Sequence, residues 1–500
     1  MQLLKAGIPE LEPRALDIIS KIVSLQDTNP YSPTYGIWSW LYEEPVDEMS
    51  PPDFNWADFI GAALSHVAVE YGDKLPKELY DAVAASLGHA AWSIFRRNVQ
   101  PSYTNIAIMG VVVTAVAGEL LSENRLLDYA RVRLQTFMDY TLEQGGLNEY
   151  NSPTYTIVAL HEVERILQLV DDPEIVANAE RLHKMVWKVL SDHFHPATGQ
   201  LAGPHSRAYS DVLASSTLDY IKWATEDYRK SDFQPETLSG IGQGMPCPAE
   251  YAGRFKQLPA PELELHERFI KRDCENKSFY GTTWMNEAAT LGSINYECFW
   301  AQRRPLLGYW LDGSGQVAVL RLRMLKDGKD FSAGGLYNAQ SENKVLTGIK
   351  MFTDRGDYHI HLDKPEESRY TLNSLVLRYE LTATDAEVVD KGDGLYELRA
   401  GDGKAVITAL PGIFNGSPVS WRTGFDGDTV YLEAVLYEGP ETALTVDESV
   451  YTELALATEL LHKDDAAFTE SPEITRNGDE IEVNWNGLAV RYNPYSETYE

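Results

Sequence analysis

The chain has 500 residues, of which 44% are hydrophobic and 24% are charged. These proportions are typical of a globular protein with more than one domain, and they exclude a disordered chain or a long coiled coil. The formal net charge of −32 argues against binding to nucleic acid or to an anionic membrane, because both are recognised chiefly through Lys and Arg.

The three cysteines are Cys247, Cys274 and Cys298, and their spacing fits neither a disulfide framework nor a zinc site. We therefore expect free thiols, no metal and no cofactor. Residues 1–12 contain charges and a proline where a secretory signal would be apolar, and no stretch reaches 18 apolar residues. The sequence predicts a cytoplasmic protein, or a secreted one if a leader has been removed, and it leaves the oligomeric state open.

Apolar residues recur at helical spacing over the first 226 residues, in segments separated by turn signals. The predicted helices are 11–25, 56–71, 76–97, 104–121, 124–143, 153–170, 173–192 and 208–226. Short connections between consecutive helices predict antiparallel neighbours. The fourth segment is apolar on more than one side, as expected of a helix inside a layered array.

The connections between these helices alternate in composition. Those before the third, fifth and seventh helices are short, whereas those before the even-numbered helices are longer or rich in aromatic, amide and imidazole groups. In an up-down array the even-numbered helices are parallel, so their N-terminal loops lie at the same end of the domain. We therefore expect a functional cleft at that end.

After about residue 258 the sequence changes to alternating apolar and polar residues with Gly-rich turns. A short helix is expected first, over 261–271. Strands are then predicted at 317–324, 358–362, 374–381, 405–410, 430–437 and 481–485. The fold class is multidomain α+β: a helical-hairpin array over residues 1–258, with 231–260 as a linker or cleft loop, and an antiparallel β-sandwich over residues 259–500.

The first polar loop concentrates Trp38, Trp40 and Trp56 in a non-helical region. Aromatic faces pack on the C–H faces of sugar rings, so these residues are candidates for substrate binding in a carbohydrate groove. The alternative is that they plug the end of the helical array.

The second and third polar loops supply amides, a carboxylate and phenols. Asn105 stands at the start of an apolar helix, where its amide needs a partner, and it would hydrogen-bond either a substrate carboxyl group or a neighbouring backbone group. The third loop lies at a helix N-terminus, which attracts negative charge. Its candidate residues are Asn148, Glu149, Tyr150, Asn151 and Tyr155. Asn151 and the adjacent Ser152 are alternatively helix caps.

The fourth polar loop brings His205, Arg207 and Tyr209 within five residues. A guanidinium next to a phenol favours the phenolate form, which is the form that acts as a base. The alternative is a Gly-Pro turn with ordinary surface charges. Two further histidine pairs, His193 with His195 and His359 with His361, have a spacing that suits a metal poorly, and a structural role is expected for both.

The helical array, the C-terminal β domain and the loop-borne Asn, His, Arg and Tyr together resemble the toroid-type polysaccharide lyases, the group of heparinase-like, alginate and glucuronan lyases. The resemblance implies an α/α toroid that cleaves a uronic-acid-containing glycan by β-elimination. It implies that Asn105 or Asn151, with His205, neutralises the uronate carboxyl group. It also implies that Tyr209, supported by Arg207, transfers the protons. The predicted helices are fewer than in many such toroids, so the ring is either open or completed near residue 261.

Two other functions stay open at this point. One is a glycoside hydrolase on a similar scaffold, with a carboxylate pair such as Glu149 with Asp211 or Asp58. The other is a non-catalytic carbohydrate-binding protein. Elimination is the first hypothesis, because donors such as Asn, His and Arg stabilise the dianion that develops when the C5 proton leaves.

Overall fold

The computed structural model describes residues 1–227, 244–274, 277–357, 366–468 and 470–499. Within these ranges an N-terminal helical region precedes a C-terminal region of antiparallel sheets, as the sequence predicts. The chain forms two compact units. The first contains Met1–Glu149, Thr154–Ser191 and Ala214–Gly253, and the second contains Tyr150–Pro153, Asp192–Leu213 and Arg254–Glu500. The predicted boundary at residue 258 stays a prediction, and part of the predicted linker, 228–243, lies outside the described residues.

The helices of the described residues are α1 (Gln2–Lys5), α2 (Glu12–Ser24), α3 (Asn55–Glu70), α4 (Lys77–Arg97), α5 (Thr104–Leu121), α6 (Asn124–Gln144), α7 (Tyr155–Leu169), α8 (Pro173–His193), α9 (Ser215–Lys222) and α10 (Ala249–Ala252). The first seven predicted helices agree with α2 to α8. Residues in the left-handed conformation end α4, α5 and α6, at Asn98, Ser122 and Gly145 respectively. This is a common way for a helix to stop, because it turns the last carbonyl groups toward new donors.

The eighth predicted helix, 208–226, is wrong in its first half. The structure has only α9 and a π-helical turn, Trp223–Asp227, in this region. The backbone before α9 makes other bonds: the Asp211 carbonyl accepts from Tyr309 Oη, and the Leu213 N–H donates to Gln200 Oε1 at 2.7 Å. These bonds to residues distant in sequence replace the helical ones.

Three of the helices in the first unit, α3, α5 and α7, pack against one another. Asn55, the first residue of α3, donates from Nδ2 to Oη of Tyr103, immediately before α5, at 3.0 Å. Toward the other end, Arg165 of α7 donates to Nε2 of His66 in α3 at 3.1 Å. These contacts join equivalent levels of the helices, so α3, α5 and α7 are parallel and their N-terminal ends lie together.

Helix α5 is the central apolar element of this unit. Every residue from Thr104 to Gly118 is buried. Among the described residues α5 is the one helix whose length and composition would allow it to cross a membrane, and 83% of it is buried inside the protein.

The second unit is built of short and long strands. The strands are β1 (Phe194–His195), β2 (Gln200–Leu201), β3 (Glu262–Ile270), β4 (Phe279–Asn286), β5 (Thr290–Ile294), β6 (Tyr296–Cys298), β7 (Leu306–Leu311), β8 (Val317–Lys326), β9 (Lys329–Asp330), β10 (Gly334–Ser341), β11 (Lys344–Met351), β12 (Arg369–Thr382), β13 (Glu387–Gly392), β14 (Leu395–Ala400), β15 (Gly403–Ala409), β16 (Ile413–Phe414), β17 (Ser417–Pro418), β18 (Ser420–Asp426), β19 (Thr429–Thr445), β20 (Thr452–Glu453), β21 (Ala455–His462), β22 (Glu473–Asn477), β23 (Glu480–Trp485) and β24 (Leu488–Tyr492). The predicted strand 358–362 lies outside the described residues.

Two large antiparallel sheets form a sandwich in this unit. In the described ranges one sheet has the order β13-β14-β15-β21-β11-β10-β6, and the other has the order β18-β19-β12-β8-β7-β5-β4-β3, with β9 paired to β8. Inward side chains of both sheets, such as Leu320 and Leu377 from one and Ile349 and Leu456 from the other, belong to one buried apolar cluster. The sheets therefore pack face to face, as in a β-sandwich.

The helix predicted over 261–271 is wrong, because these residues form strand β3. The segment Glu262-Leu263-Glu264-Leu265 alternates with the period of a strand, and β3 pairs with β4 so that Leu263 lies opposite Met285. Pairing with a neighbouring strand decides the conformation of such a short segment. The sequence of the segment alone does not reveal that pairing.

Candidate functional site

A chain of hydrogen bonds lies at the shared N-terminal ends of α3 and α5. Arg97 Nη1 donates to Asn55 Oδ1 at 2.7 Å, and Asn55 Nδ2 donates to Tyr103 Oη at 3.0 Å. The guanidinium polarises the amide, which makes its N–H a stronger donor. Donation to a phenol oxygen favours its ionised form. The half-buried Tyr103 is therefore joined to Arg97 through the amide of Asn55.

Asp58 lies one turn farther into α3 and is buried. Burial raises the pKa of its carboxyl group to about 7, although Arg133 and Arg97 act in the opposite direction. Its Oδ2 lies 3.9 Å from Arg97 Nη1, and its Oδ1 has no hydrogen-bond partner among the described residues. Asp58 is thus a buried carboxyl group with a raised pKa and one unpaired oxygen.

Asn105 occupies the first turn of α5 and is 5% exposed. Within the described part of the chain its Oδ1 has no hydrogen-bond partner. The adjacent carbonyl groups are occupied, because Arg133 donates to Ile106 O at 3.2 Å and to Ala107 O at 2.9 Å. A buried amide oxygen without a partner is costly unless a ligand or water meets it. The predicted carboxyl-binding role of Asn105 stays a prediction.

The third polar loop, before α7, also contains predicted site residues. Those up to Glu149 lie in the first unit. The Glu149 N–H is 3.4 Å from Thr104 Oγ1 at the start of α5, and the Glu149 side chain is 5% exposed. Asn148 accepts from Tyr140 Oη at 3.0 Å. Tyr155 is half-buried at the start of α7. Glu149 therefore lies at the same end of the helices as Asn55 and Tyr103.

The three tryptophans of the first loop have different environments. Trp38 is 3% exposed and donates from Nε1 to Ile22 O at 2.8 Å, which fits the plug interpretation. Trp40 is half-buried and donates to Asp53 Oδ2 at 3.1 Å. Trp56 is half-buried and meets Phe59 edge to face at 5.9 Å. Trp40 and Trp56 are therefore more exposed than Trp38, and their substrate-binding role stays a prediction.

Asn151 and His205 belong to the second unit and are buried there. Asn151 has a left-handed backbone with φ of 40° and donates from Nδ2 to Ala202 O at 2.7 Å and to Pro204 O at 3.2 Å. Burial lowers the pKa of His205 to about 3, so its imidazole is neutral, and Nε2 donates to Leu201 O at 3.0 Å. Both side chains are therefore buried and stabilise the loop through hydrogen bonds to its backbone carbonyl groups. Their catalytic roles stay predictions.

Arg207 and Tyr209 form the pair that the sequence predicts. Arg207 Nη2 lies 3.5 Å from Tyr209 Oη, and Arg207 Nε donates to Gln302 Oε1 at 3.1 Å. The guanidinium also lies over the ring of Trp300, at 5.8 Å from its centroid. Tyr209 is 61% exposed. The phenol is therefore accessible on the second unit, whereas Ser152, predicted as a cap, donates to the Arg207 carbonyl instead.

Tyr150 lies in the core of the second unit, although it was predicted to bind substrate. Its ring stacks on Phe269 at 4.5 Å, and its Oη donates to the buried Glu297 at 2.7 Å. Burial raises its pKa well above the ordinary value. Substrate binding by Tyr150 stays a prediction, and this packing gives it no support.

Asp211 of the second unit is an ion-pair residue. It accepts hydrogen bonds from Arg304 and Arg321. Burial opposes its ionisation, but these two cations outweigh burial and lower the pKa of Asp211. The hydrolase alternative offers two carboxylate pairs. Of these, Glu149 and Asp58 lie in the same unit.

The histidine pairs were expected to be structural. His193 bonds Glu267 at 2.8 Å and Ala202 O at 3.1 Å, and His195 bonds Asn286 O at 2.8 Å. His359 and His361 lie outside the described residues. No group of His, Cys, Asp and Glu within the described ranges is arranged to hold a metal ion.

The sequence interpretation missed Arg97 and Arg133 and did not single out Tyr103. Tyr103 stands beside Asn105 and was visible as a phenol before a helix. Arg97 and Arg133 lie on α4 and α6, and no local motif distinguishes them from surface arginines. Only the packing of the helices brings them to Asn55 and Asp58.

The family model described as "Domain of unknown function (DUF8769)" matches residues 2–231, and no curated protein matches the sequence. Among solved structures the chain is similar to a heparinase III, the BT4657 gene product, at 9% identity and a TM-score of 0.38, over 98% of this chain and 81% of that chain. It is also similar to endoglucanase CelQ from Clostridium thermocellum at 10% identity and a TM-score of 0.23, over 91% and 93% of the two chains.

Proposed function

We propose that this protein is an enzyme that cleaves a uronic-acid-containing polysaccharide by β-elimination. The observation that carries the proposal is the Arg97–Asn55–Tyr103 chain of hydrogen bonds at the helix ends that also hold Asn105. Elimination next to a carboxylate needs donors for the carboxyl group and one group that moves a proton. Both kinds of group are present at this end of the first unit.

The proposed reaction uses these side chains as follows. Asn105 donates from its amide to the uronate carboxyl group. Tyr103, as a phenolate, takes the C5 proton, and the C5–H electron pair forms the C4–C5 double bond as the C4–O4 bond breaks. The phenol of Tyr103 then returns a proton to the departing O4 oxygen.

The second unit by itself holds an alternative proton-transfer residue. Tyr209 is exposed and lies beside Arg207, which is the arrangement predicted from the sequence. In this variant of the proposal Asn151 and His205 are positioning residues, because their side chains hold the loop and are shielded from solvent.

A specific observation favours a second candidate function, glycoside hydrolysis. The Asp58 pKa of about 7 suits a general acid, and Glu149 of the same unit supplies a second carboxylate. A glycosidase needs one protonated and one ionised carboxyl group. The two groups therefore require environments that shift their pKa values apart.

Products distinguish the two reactions. The protein is incubated with a panel of uronate polymers, and ultraviolet absorbance and new reducing ends are recorded together. The lyase proposal expects both to rise, since elimination makes a conjugated unsaturated uronide. New reducing ends without absorbance would contradict elimination and support the hydrolase. No change in either would leave the non-catalytic sugar-binding protein.

A further inference from the structure

Arg97, the last residue of α4, lies between two acceptors of α3. Its Nη1 donates to Asn55 Oδ1 at 2.7 Å and lies 3.9 Å from Asp58 Oδ2. The first contact is a hydrogen bond, whereas the second is too long for one. The guanidinium is therefore bonded to a neutral amide although a carboxyl group lies close by. The Arg97 side chain is 28% exposed, so packing does not fix it on every side.

Asp58 is buried and has few hydrogen-bond donors around it. Its Oδ1 accepts no hydrogen bond from the part of the chain that the structure describes. Burial raises the pKa of this carboxyl group to about 7, and Arg133 and Arg97 oppose the rise. A buried carboxylate without a direct donor is costly. An ionised Asp58 therefore attracts a guanidinium more strongly than the amide of Asn55 does, because Coulomb attraction adds to the hydrogen bond.

Arg133 of α6 is the second cation that acts on Asp58, but its donors are already used. Its Nε donates to Ala107 O at 2.9 Å, its Nη2 to Ile106 O at 3.2 Å and its Nη1 to Tyr129 Oη at 2.8 Å. The Arg133 side chain is also buried. Arg133 therefore cannot approach Asp58 without breaking these bonds.

The other titratable groups that act on Asp58 offer it no donor. Glu162 of α7 acts as a like charge and accepts from Arg165 at 2.6 Å. Burial raises the pKa of Tyr129 in α6, so its phenol stays neutral near pH 7, and its hydroxyl is bonded elsewhere. Among the described charged groups of α4, α6 and α7 near Asp58, Arg97 is therefore the one that is able to move toward it.

We propose that Asp58 regulates the Arg97–Asn55–Tyr103 chain by controlling the position of Arg97. While Asp58 is protonated, Arg97 bonds Asn55, and Asn55 donates to Tyr103 Oη at 3.0 Å. When Asp58 releases its proton to solvent, the carboxylate draws the guanidinium away from Asn55. Asn55 is then a weaker donor to Tyr103, and a new negative charge lies near the phenol. Both effects disfavour the phenolate.

This inference deepens the proposed function, because Tyr103 is the base of the proposed elimination. Only its consequence for turnover rests on that reaction. The movement of Arg97 and its effect on Tyr103 are properties of the free protein, so they can be tested without a substrate.

Carbon NMR of the full chain, labelled at tyrosine Cζ, provides this test. The Tyr103 signal is assigned by its loss in Tyr103→Phe. In the native sequence it should shift in a step with a midpoint near pH 7, as Asp58 ionises. Asp58→Asn should abolish the step, whereas Asp81→Asn, which alters an exposed ion pair with Lys77, should retain it. Absence of the step in the native protein, or its persistence in Asp58→Asn, would overturn the proposal.

Arg97→Gln tests whether the guanidinium is the link, and it keeps the proposal testable if Asp58→Asn does not fold. This variant retains Asp58 and removes the cation that moves. The Tyr103 signal should lose most of its step. A step of unchanged size in Arg97→Gln would overturn the role of Arg97.

Turnover separates this inference from the proposed function. On a uronate polymer that the native protein cleaves, Asp58→Asn should raise turnover above pH 7 by about two- to tenfold, the equivalent of one hydrogen bond. Loss of turnover in this variant at every pH would overturn the inference and leave elimination itself untouched. A Tyr103 step near pH 7 in a protein that cleaves no uronate polymer would support the movement of Arg97 and contradict the proposed function.

Discussion

Tyr103 is the side chain on which the proposed proton transfer depends most directly. Tyr103→Phe keeps the ring and removes the only atom that exchanges a proton. Turnover should fall by about 10²–10⁴, the contribution of a positioned acid or base, while substrate affinity changes little. Initial rates and KM on the best uronate polymer measure both quantities.

Two further Phe variants control this experiment. Tyr80→Phe changes a half-buried tyrosine near the start of α4, at the opposite end from Arg97, and should retain normal turnover. Tyr209→Phe tests the alternative base on the second unit. If Tyr103→Phe retains normal turnover and Tyr209→Phe loses it, the proton-transfer role belongs to Tyr209.

Asp58 gives a prediction about stability and pH. Burial raises its folded-state pKa to about 7, so between about pH 4 and pH 7 the folded state holds a proton that the unfolded state has lost. The contribution of Asp58 to stability should therefore fall as pH rises through this window. The difference of about three pH units corresponds to at most about 4 kcal/mol.

Urea unfolding at several pH values measures this effect. Asp58→Asn removes the titration, so the variant should gain stability relative to the native sequence from pH 5 to pH 8. Asp81→Asn, which alters an exposed ion pair with Lys77, should change stability by less than about 1 kcal/mol at every pH. A pH profile of Asp58→Asn parallel to that of the native protein would contradict the raised pKa.

At the scale of the elements, we propose that the loop before α3 has a structural part and a ligand-binding part. Trp38→Ala should cost about 3–5 kcal/mol of stability, since this indole is buried. Trp40→Ala should cost much less stability and weaken binding of the substrate about tenfold, as expected for the loss of one aromatic contact. Thermal unfolding and a binding titration separate the two effects. Equal loss of affinity in both variants with unchanged stability would contradict this division.

The loop of Asn151 and His205 depends on Gly203. This residue has φ of +98°, and a Cβ there would lie 2.3 Å from Thr283 Oγ1. Gly203→Ala should therefore destabilise the protein by about 2–4 kcal/mol, from backbone strain and overpacking together. Gly416, with φ of +78° and open space around it, is a matched control whose Ala variant should cost only about 1–2 kcal/mol. Equal losses in the two variants would show that packing at Gly203 is unimportant.

The helices could be predicted well because their signals are local. Apolar spacing and turn residues mark α2 to α8. The alternation of polar loops predicts four loops at one end of the helical domain; the N-terminal ends of α3, α5 and α7 do lie together, but the fourth loop, with His205, Arg207 and Tyr209, belongs to the second unit. Strand β3 could not be predicted, since its partner β4 lies farther along the chain and decides its conformation. The bonds that hold residues 208–214 out of a helix are likewise non-local.

At the scale of the whole molecule, the division into a helical and a β region follows from the sequence, but the grouping of the candidate residues does not. The sequence places Asn105, Asn151, His205 and Tyr209 in loops of one helical domain. The structure assigns all of these except Asn105 to the second unit. Backbone bonds explain this assignment, because the His205 N–H donates to Arg304 O at 3.1 Å, a contact that no local pattern reveals.

The proposed elimination breaks a glycosidic bond without addition of water. Mass spectrometry of the products tests it directly. The proposal predicts that one fragment is unsaturated and lighter by one water than the corresponding hydrolytic product. Two saturated fragments that together contain one added water would contradict elimination and establish hydrolysis.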